Sequence, residues 1–424
     1  MMSKRLACIF LMLVLTGINK ISLAYGYPIT DPFEASVLGT PKELKAKMPD
    51  KIDIKTQQIK VFEDRITPAV FWYNENLTFT MATQEGAAPL IFIIAGTGSN
   101  SNSPKADALL RIFYQAGFHV VALGSPTHPN FIVSASTNSV PGNIQEDSED
   151  LYNVMQLIWK NIRNDVTVTE FYLTGYSLGG AQSAFISKLD EKRRIFDFSK
   201  VLMINPPVNL YNSVNILDDL LISNVPGGLD NIDEFITETM DQFSAFYSSG
   251  NFIDTDEEFL YEAFKQFKAD QKKLAAVIGI SFRISAAEMY FTSDVVNNEG
   301  YIVPKNLVLT STSSLTDYMI VSLRISFADY FNEYFYPYFQ ARQSDLNKQA
   351  LIARTSLESI EDYLTSSKKI GLVTNQDDFI LAPGEIDYLK RVFKSRAKIY
   401  PNGGHCGNMD YKENAAYMVD FFNN

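Results

Sequence analysis

The chain has 424 residues, of which 46% are hydrophobic and 20% are charged, so it can bury a substantial core and is not a mostly disordered protein. Lysine and arginine number 37 against 49 aspartates and glutamates, which gives a formal charge of -12. This balance argues against binding to nucleic acid or to anionic lipid headgroups, because both need a basic face. Two cysteines and three histidines cannot build a disulfide framework and make a structural zinc site improbable.

Residues 1–24 have the pattern of a signal peptide. Lys4 and Arg5 form a basic head, an apolar run follows over residues 6–18, and Ala24 ends a stretch of small residues suited to cleavage. The apolar run is shorter than the roughly 20 residues of a membrane helix. We therefore expect a periplasmic or secreted protein, with an uncleaved N-terminal membrane anchor as the alternative. No later stretch is expected to form a transmembrane segment.

Two kinds of strand are predicted from residue 52 onward. Alternating β-branched and aromatic residues are typical of antiparallel strands, and they occur at residues 52–55, 59–62, 69–73 and 77–81. Continuous apolar runs are typical of strands buried on both faces, and they read PLIFIIAG (89–96), HVVAL (119–123), FYLT (171–174), VLMIN (201–205), IGLVT (370–374) and AKIY (397–400). Helical segments lie between these runs, the clearest at residues 143–162, where Asn143 and Glu146 have the spacing of a capping pair. The alternation predicts a mostly parallel sheet covered by helices on both faces.

About 160 residues separate the run that ends near residue 207 from the one that starts near residue 369, which is too long for an ordinary connection. This insert has helical periodicity, with an apolar stripe over residues 232–247, a capping box at Thr255 and Glu258, and aromatic residues at helical spacing from residue 327 until Pro337. The aromatic stripe is either the core of the insert or a lipid-binding surface. We predict a helical cap domain over residues 208–368, inserted into a core domain of residues 25–207 and 369–424.

The hexapeptide GYSLGG at residues 175–180 directly follows a predicted strand and precedes a helical segment. This strand–turn–helix context is the one that the G-x-S-x-G pattern requires. The serine at its centre, Ser177, would sit on a strained turn, exposed near the positive end of the following helix. Ser177 is therefore the candidate nucleophile.

A serine hydroxyl needs a base, and the base needs an orienting carboxylate. Of the three histidines, only His405 follows a late strand and precedes a terminal helix, in the glycine-rich loop GGHCG. His128 follows an earlier strand, and two hypotheses remain for its role: a turn histidine or a contact with the substrate. The loop NQDD after the strand at residues 370–374 supplies two carboxylates. We predict that Asp377 orients the imidazole, with Asp378 as the alternative.

The negative charge that develops on a substrate carbonyl needs hydrogen-bond donors already in place. The residue after the nucleophile offers one, the backbone N–H of Leu178. The loop AGTGS at residues 95–99 closes the first buried strand, and its glycines permit a close backbone approach. We assign the second donor to the backbone N–H of Thr97.

Taken in order, the loop AGTGS, the elbow GYSLGG, the acidic loop NQDD and the histidine loop GGHCG resemble the α/β-hydrolase superfamily. The resemblance covers residues 89–207 and 369 to the end. It implies an α/β-hydrolase fold with an eight-stranded sheet, a Ser-His-Asp triad without metal or organic cofactor, and a cap inserted after the sixth strand. Ala95 replaces the histidine common in the oxyanion loop of the family, and this replacement leaves the backbone donor unchanged.

These features together predict an exported serine hydrolase that cleaves a carboxylic ester through an acyl-enzyme. A thioester and a lipid or other apolar acyl ester are the substrate classes considered. The expected partner is therefore a small-molecule or lipid ester, with no nucleic acid and no metal. A serine peptidase of the same fold and a non-catalytic binding module are the alternatives.

Overall fold

The computed structural model describes residues 25–49, 51–228, 231–232, 234–235, 237–238 and 271–424. The predicted signal peptide at residues 1–24 lies outside the described residues. The same holds for Thr255 and Glu258, the predicted capping box, and for most of the predicted stripe at residues 232–247.

The core of the molecule is one eight-stranded sheet with the strand order β1-β2-β4-β3-β5-β6-β7-β8. Strand β2 runs antiparallel to both of its neighbours, and every other pairing is parallel. The strands are β1 Lys55–Ile59, β2 Leu77–Ala82, β3 Ala88–Ile94, β4 His119–Leu123, β5 Val168–Tyr176, β6 Lys200–Ile204, β7 Ile370–Asn375 and β8 Ala397–Tyr400. Each of the apolar runs forms a strand, and the sheet with its flanking helices confirms the predicted α/β-hydrolase fold class.

The antiparallel opening differs from the prediction in two places. The strands predicted at residues 52–55 and 59–62 are replaced by a single strand, β1, at Lys55–Ile59. Residues 69–73 do not form a strand either. These residues belong to a 3-10 helix, Ala69–Asn74, which begins after Pro68. A proline fixes its own backbone and cannot donate a hydrogen bond, so it favours a turn over a central strand at this point. Val70 and Phe71 are buried in a small apolar cluster with residues of the insert. Their apolar character therefore reflects packing of a turn and not membership of the sheet.

Helices cover both faces of the sheet, as alternate residues of β3 show. Phe92 and Ile94 pack into one apolar core, and Ile91 and Ile93 pack into the opposite one. The first core includes residues of α4 (Ile144–Ile162) and α5 (Leu178–Arg193), and the second includes residues of α2 (Pro104–Gln115) and α14 (Lys412–Asn423). The helices outside the insert are α1 Pro32–Leu38, α2 Pro104–Gln115, α3 Pro129–Ser134, α4 Ile144–Ile162, α5 Leu178–Arg193, α13 Glu385–Phe393 and α14 Lys412–Asn423.

Helix α4 starts where predicted, but its start is not a capping box. The side chain of Asn143 accepts no hydrogen bond from the first turn of the helix. Its Nδ2 donates to Oε1 of Glu146 at 2.9 Å. The two residues therefore make contact, but the Asn143 amide donates to the glutamate and accepts no hydrogen bond from the N–H groups of the helix.

The described part of the insert is helical, as predicted. Its helices are α6 Leu210–Ile222, α7 Gln271–Asn297, α8 Thr316–Arg324, α9 Phe327–Tyr330, α10 Tyr336–Arg342, α11 Lys348–Arg354 and α12 Glu361–Ser366. Helix α7 is, against the prediction, long and apolar enough to cross a membrane by length and composition, but 61% of its most apolar window is buried within the protein. Its Arg283 forms a fully buried ion pair with Asp218 of α6. These contacts are those of a core helix.

The aromatic stripe continues past Pro337 instead of ending there. A π-helical turn, Phe331–Phe335, connects α9 to α10, and Pro337 falls in the first turn of α10. The first turn of a helix tolerates a missing N–H, so the proline does not break the chain of helices. Tyr330, Phe331 and Phe335 are buried in a single apolar cluster of the insert. The stripe is thus a core and not an exposed lipid-binding surface.

The last part of the predicted cap packs against the sheet. Leu357, Ile360 and Leu364 belong to the same apolar core as helices α4 and α5. Residues 357–366 therefore contribute to the core of the sheet, although the sequence pattern assigned them to the insert.

Candidate active site

The turn between β5 and α5 holds Ser177 in a strained conformation, with φ 55° and ψ -127°. Positive φ is costly for a residue with a side chain and is found where the surrounding structure enforces it. Here close packing around Gly175 and Gly179 enforces the conformation of Ser177. A Cβ atom on Gly175 would overlap the carbonyl oxygen of Gly179, and one on Gly179 would overlap that of Ile94. The tight turn leaves the Ser177 side chain partly exposed at the edge of the sheet.

The structure brings Ser177, His405 and Asp378 into one chain of hydrogen bonds. The Oγ atom of Ser177 lies 2.9 Å from Nε2 of His405. The other ring nitrogen, Nδ1, lies 3.1 Å from each carboxylate oxygen of Asp378. The Asp378 side chain is fully buried, whereas the His405 side chain retains 19% of its exposure. This order, from a buried carboxylate to an accessible hydroxyl, is the geometry of a serine nucleophile with its base and orienting group.

Asp377, the residue preferred from the sequence, does not contact the imidazole. Its carboxylate accepts hydrogen bonds from the backbone N–H groups of Gly403 at 3.2 Å and Gly404 at 3.0 Å. Burial raises the pKa of Asp377 above its ordinary value. The prediction is therefore corrected: the turn after β7 directs Asp378 toward His405 and directs Asp377 toward the backbone of the histidine loop.

Asn205 holds the Asp378 carboxylate and was not singled out from the sequence. Its Nδ2 donates to Oδ2 of Asp378 at 2.8 Å, and the backbone N–H of Ile380 donates to Oδ1 at 3.3 Å. Asn205 follows β6, which pairs with β7, so both side chains stand at the carboxyl edge of neighbouring strands. The polar end of the apolar run VLMIN was the available signal for this residue.

The environment of His405 favours its protonated form. Burial lowers the pKa of the imidazole, but the neighbouring Cys406 sulfur and the Asp378 carboxylate outweigh burial, so the pKa of His405 is raised above its ordinary value. An imidazolium forms whenever the histidine removes the proton of Ser177. The buried carboxylate therefore stabilises the charge that the reaction would create.

The N-terminal segment of the described chain makes hydrogen bonds to the backbone of the histidine loop. The hydroxyl of Ser36, in α1, accepts the backbone N–H of His405 at 2.7 Å and donates to the carbonyl of Pro32 at 2.7 Å. Tyr27 and Thr40 both donate to the carbonyl of Gly407. No sequence motif indicated these contacts, because Ser36 and His405 are separated by most of the chain.

The remaining histidines are structural. His128 caps helix α3, since its Nδ1 accepts the N–H of Asn130, and burial lowers the pKa of His128 to about 4. His119 opens β4, where its Nδ1 accepts the N–H of Gln84. Of the two interpretations of His128, the structure therefore supports that of a turn histidine.

The two residues whose backbone N–H groups are predicted to bind an oxyanion line the same cavity. Thr97 and Leu178 both border it, and neither N–H donates to another group in the part of the chain that the structure describes. The loop that carries Thr97 is fixed by a hydrogen bond from the N–H of Gly98 to Oγ1 of Thr127 at 2.8 Å. Two unused donors at a fixed loop and at the start of a helix are suited to stabilise a developing oxyanion.

The cavity beside these donors is narrow: about 50 Å³ of it can be occupied by the centres of water molecules, and all the space not filled by protein atoms, including open solvent at its mouth, amounts to about 590 Å³. It lies between the loops at the edge of the sheet and the helices of the insert. Within the described residues, no group of three or more histidine, cysteine, aspartate or glutamate side chains could hold a metal ion.

No family model matches the sequence, and no curated protein matches it. Among solved structures, the chain is similar to a membrane phospholipase A described as a bacterial virulence factor, with 14% identity, 99% of this chain and 97% of that chain covered, and a TM-score of 0.44. It is also similar to an esterase of Pyrococcus furiosus, with 10% identity, 94% and 98% covered, and a TM-score of 0.43. A carboxyl esterase of Bacillus coagulans shares 13% identity, with 88% and 99% covered and a TM-score of 0.42. Likenesses this distant do not bear on activity or substrate.

Proposed function

We propose that this chain is a serine hydrolase that cleaves carboxylic esters with Ser177 as nucleophile, His405 as base and Asp378 as orienting carboxylate. The observation that carries the proposal is the unbroken contact from Asp378 through His405 to Ser177, at 3.1 Å and 2.9 Å. These three groups contribute little to the stability of the fold. They are a buried carboxylate, a partly buried imidazole and a strained, accessible hydroxyl, in that order. Their combination is explained by nucleophilic catalysis.

The first half-reaction forms an acyl-enzyme. Nε2 of His405 takes the proton of Ser177 as Oγ bonds to the ester carbonyl carbon, and the carbonyl electron pair moves onto oxygen. The N–H groups of Thr97 and Leu178 donate to that oxyanion, while Asp378 holds the imidazolium through Nδ1. The carbonyl then re-forms, the bond to the alcohol oxygen breaks, and His405 gives its proton to the departing alcohol.

The second half-reaction repeats these steps with water. His405 takes a proton from a water molecule as its oxygen bonds to the acyl carbon. The second tetrahedral intermediate collapses, the bond to Ser177 Oγ breaks, and His405 returns the proton to Oγ. A carboxylic acid leaves, and the enzyme regains its starting state.

The proposal is tested by covalent labelling with a fluorophosphonate and by hydrolysis of p-nitrophenyl butyrate. We expect one label per chain, at Ser177, and loss of both label and turnover in Ser177→Ala and His405→Ala. Ser183→Ala is the matched control, because Ser183 lies on the same helix but donates to the carbonyl of Gly179. A folded protein that takes no label would be a binding module instead. Faster cleavage of matched p-nitroanilides than of the esters would make the protein a peptidase.

We also propose export, with cleavage after Ala24. The support is the pattern of residues 1–24 together with the anchoring of Tyr25, whose ring stacks on Tyr400 at 4.6 Å and whose hydroxyl accepts a hydrogen bond from Asn408. Cell fractionation followed by N-terminal sequencing tests this proposal. Release of a chain that begins at Tyr25 supports it, and an intact N-terminus in the membrane fraction supports the anchor.

A further inference from the structure

The cavity next to the nucleophile has a mostly apolar lining, and none of the described residues that line it is charged. One wall is a single face of helix α7, where Phe282, Ala286 and Met289 recur at helical spacing. Aromatic side chains of the insert, which include Phe331 and Phe335, form another part of the lining. A site of this composition selects hydrocarbon, because only a few polar groups are present to orient a polar ligand.

The wall made by α7 also touches the oxyanion loop. Gly98 has φ 68°, and a Cβ atom placed on it would lie 2.6 Å from Cβ of Ser285 in α7. The absence of a side chain at Gly98 therefore lets α7 approach the loop that carries Thr97. Because Thr97 and Leu178 both line the apolar cavity, the cavity adjoins the two residues that supply the oxyanion donors.

The position of His405 decides which half of an ester enters this cavity. His405 must protonate the oxygen of the leaving alcohol, so the alcohol has to depart on the side of the imidazole. That side is flanked by Phe379, whose ring centroid lies 6.1 Å from that of His405. Neither residue borders the cavity, whereas both oxyanion donors, Thr97 and Leu178, do. The substituent on the opposite side of the carbonyl is the acyl chain.

We propose that the cavity binds the acyl chain of the substrate as an uncharged hydrocarbon chain, that α7 sets the accepted chain length, and that the alcohol remains outside the cavity beside His405. This inference rests on the proposed function. It assigns a substrate class to the site and names Ala286 and Met289 as specificity-determining residues, because they are the buried non-aromatic side chains that α7 contributes to the wall.

Two ester series separate the acyl side from the alcohol side. In p-nitrophenyl esters of acetate to dodecanoate, we expect kcat/KM to rise about four-fold per added methylene until the cavity is filled, the gain that burial of one methylene supplies. In alkyl esters of acetate, lengthening the alcohol should change kcat/KM much less. A steeper rise in the alcohol series, or no rise in the acyl series, would overturn the proposal.

Variants on α7 locate the effect. Ala286→Phe should lower the ratio of kcat/KM for decanoate to that for acetate at least ten-fold, because the ring fills the space next to the donors. Met289→Ala should move the acyl chain length with the highest kcat/KM to longer chains. This variant provides the test if Ala286→Phe does not fold. Ser281→Phe is the matched control, since Ser281 is exposed on the same helix outside the cavity. The proposal fails if the control changes the ratio as much as Ala286→Phe does.

Binding of fatty acids to Ser177→Ala distinguishes failure of the cavity assignment from failure of the hydrolase assignment. Calorimetric titration with hexanoate, octanoate and decanoate should show Kd falling about four-fold per methylene, and Ala286→Phe added to this variant should abolish the trend. This trend without any turnover would retain the acyl site and reject the hydrolase. Turnover together with chain-independent binding would retain the hydrolase and reject the acyl site.

Discussion

Replacing Asp378 with asparagine removes one charge from the site and changes little else in shape. The carboxylate contacts Nδ1 of His405 through both oxygens at 3.1 Å and accepts the Nδ2 hydrogen bond of Asn205 at 2.8 Å. An amide oxygen can still accept from Asn205. The amide nitrogen would then face Nδ1 as a donor, so the imidazole would be held in the tautomer that presents an N–H to Ser177.

The expected loss follows from two effects of that charge. The wrong tautomer cannot take the serine proton, and the imidazolium loses its buried counter-charge. In serine hydrolases with this geometry, the same change lowers kcat about 10⁴-fold. At 1.36 kcal/mol per factor of ten, this corresponds to about 5.4 kcal/mol of transition-state stabilisation. The pKa of His405 should fall as well, because the carboxylate raises it.

Asp377→Asn is the matched control, one residue away with the same chemical change. The amide oxygen can still accept the N–H of Gly403 or of Gly404, but the amide nitrogen replaces the oxygen that accepts the other N–H, so the loop loses one of its two hydrogen bonds to this side chain. We expect a loss of about 2 kcal/mol in stability and less than about ten-fold in kcat.

Both variants are to be assayed with p-nitrophenyl butyrate, and thermal unfolding followed by circular dichroism checks that they are folded. If Asp378 orients His405, kcat should differ at least a hundred-fold between the two variants, with Asp378→Asn the weaker enzyme. A folded Asp378→Asn with nearly native kcat, or a reversed order of the two variants, would refute the assignment of the orienting carboxylate.

Three further outcomes are expected. Because the pKa of His405 is raised and its neutral form is the base, kcat/KM should increase with pH through a midpoint above 6.5, and a midpoint below 6 would contradict this. Ser36→Ala, which unpairs the backbone N–H of His405, should lower kcat and the rate of fluorophosphonate labelling while leaving KM unchanged; a change in melting temperature alone would limit Ser36 to stability. Gly179→Ala should destabilise the fold by more than about 3 kcal/mol by overlap with Ile94, whereas Gly86→Ala, with open space around it, should melt within a few degrees of the native chain.

The parallel strands and the nucleophile turn were predictable because each depends on residues close in sequence. Continuous apolar runs signal strands buried on both faces, and the crowding at Gly175 and Gly179 is local to one strand–turn–helix unit. Pro68 was the local signal against a strand at residues 69–73. The apolar residues that follow it have the composition of a strand and therefore mask that signal.

The choice between Asp377 and Asp378 depended on information that the sequence does not hold. Adjacent residues of a turn point in different directions, and the rotation of the turn after β7 is set by its packing, including the hydrogen bond from the N–H of Asp378 to the carbonyl of Asn375. Ser36 was equally hidden, because its contact with His405 joins the two ends of the described chain. Such contacts follow from tertiary structure alone.

A crystal structure of the protein after reaction with p-nitrophenyl decylphosphonate would show both the nucleophile and the acyl site. We expect a bond between phosphorus and Oγ of Ser177, a phosphonyl oxygen within hydrogen-bond distance of the N–H groups of Thr97 and Leu178, and the decyl chain along α7 beside Ala286. Phosphorus bound to another residue, or an unmodified Ser177 in a folded protein exposed to excess reagent, would contradict this expectation.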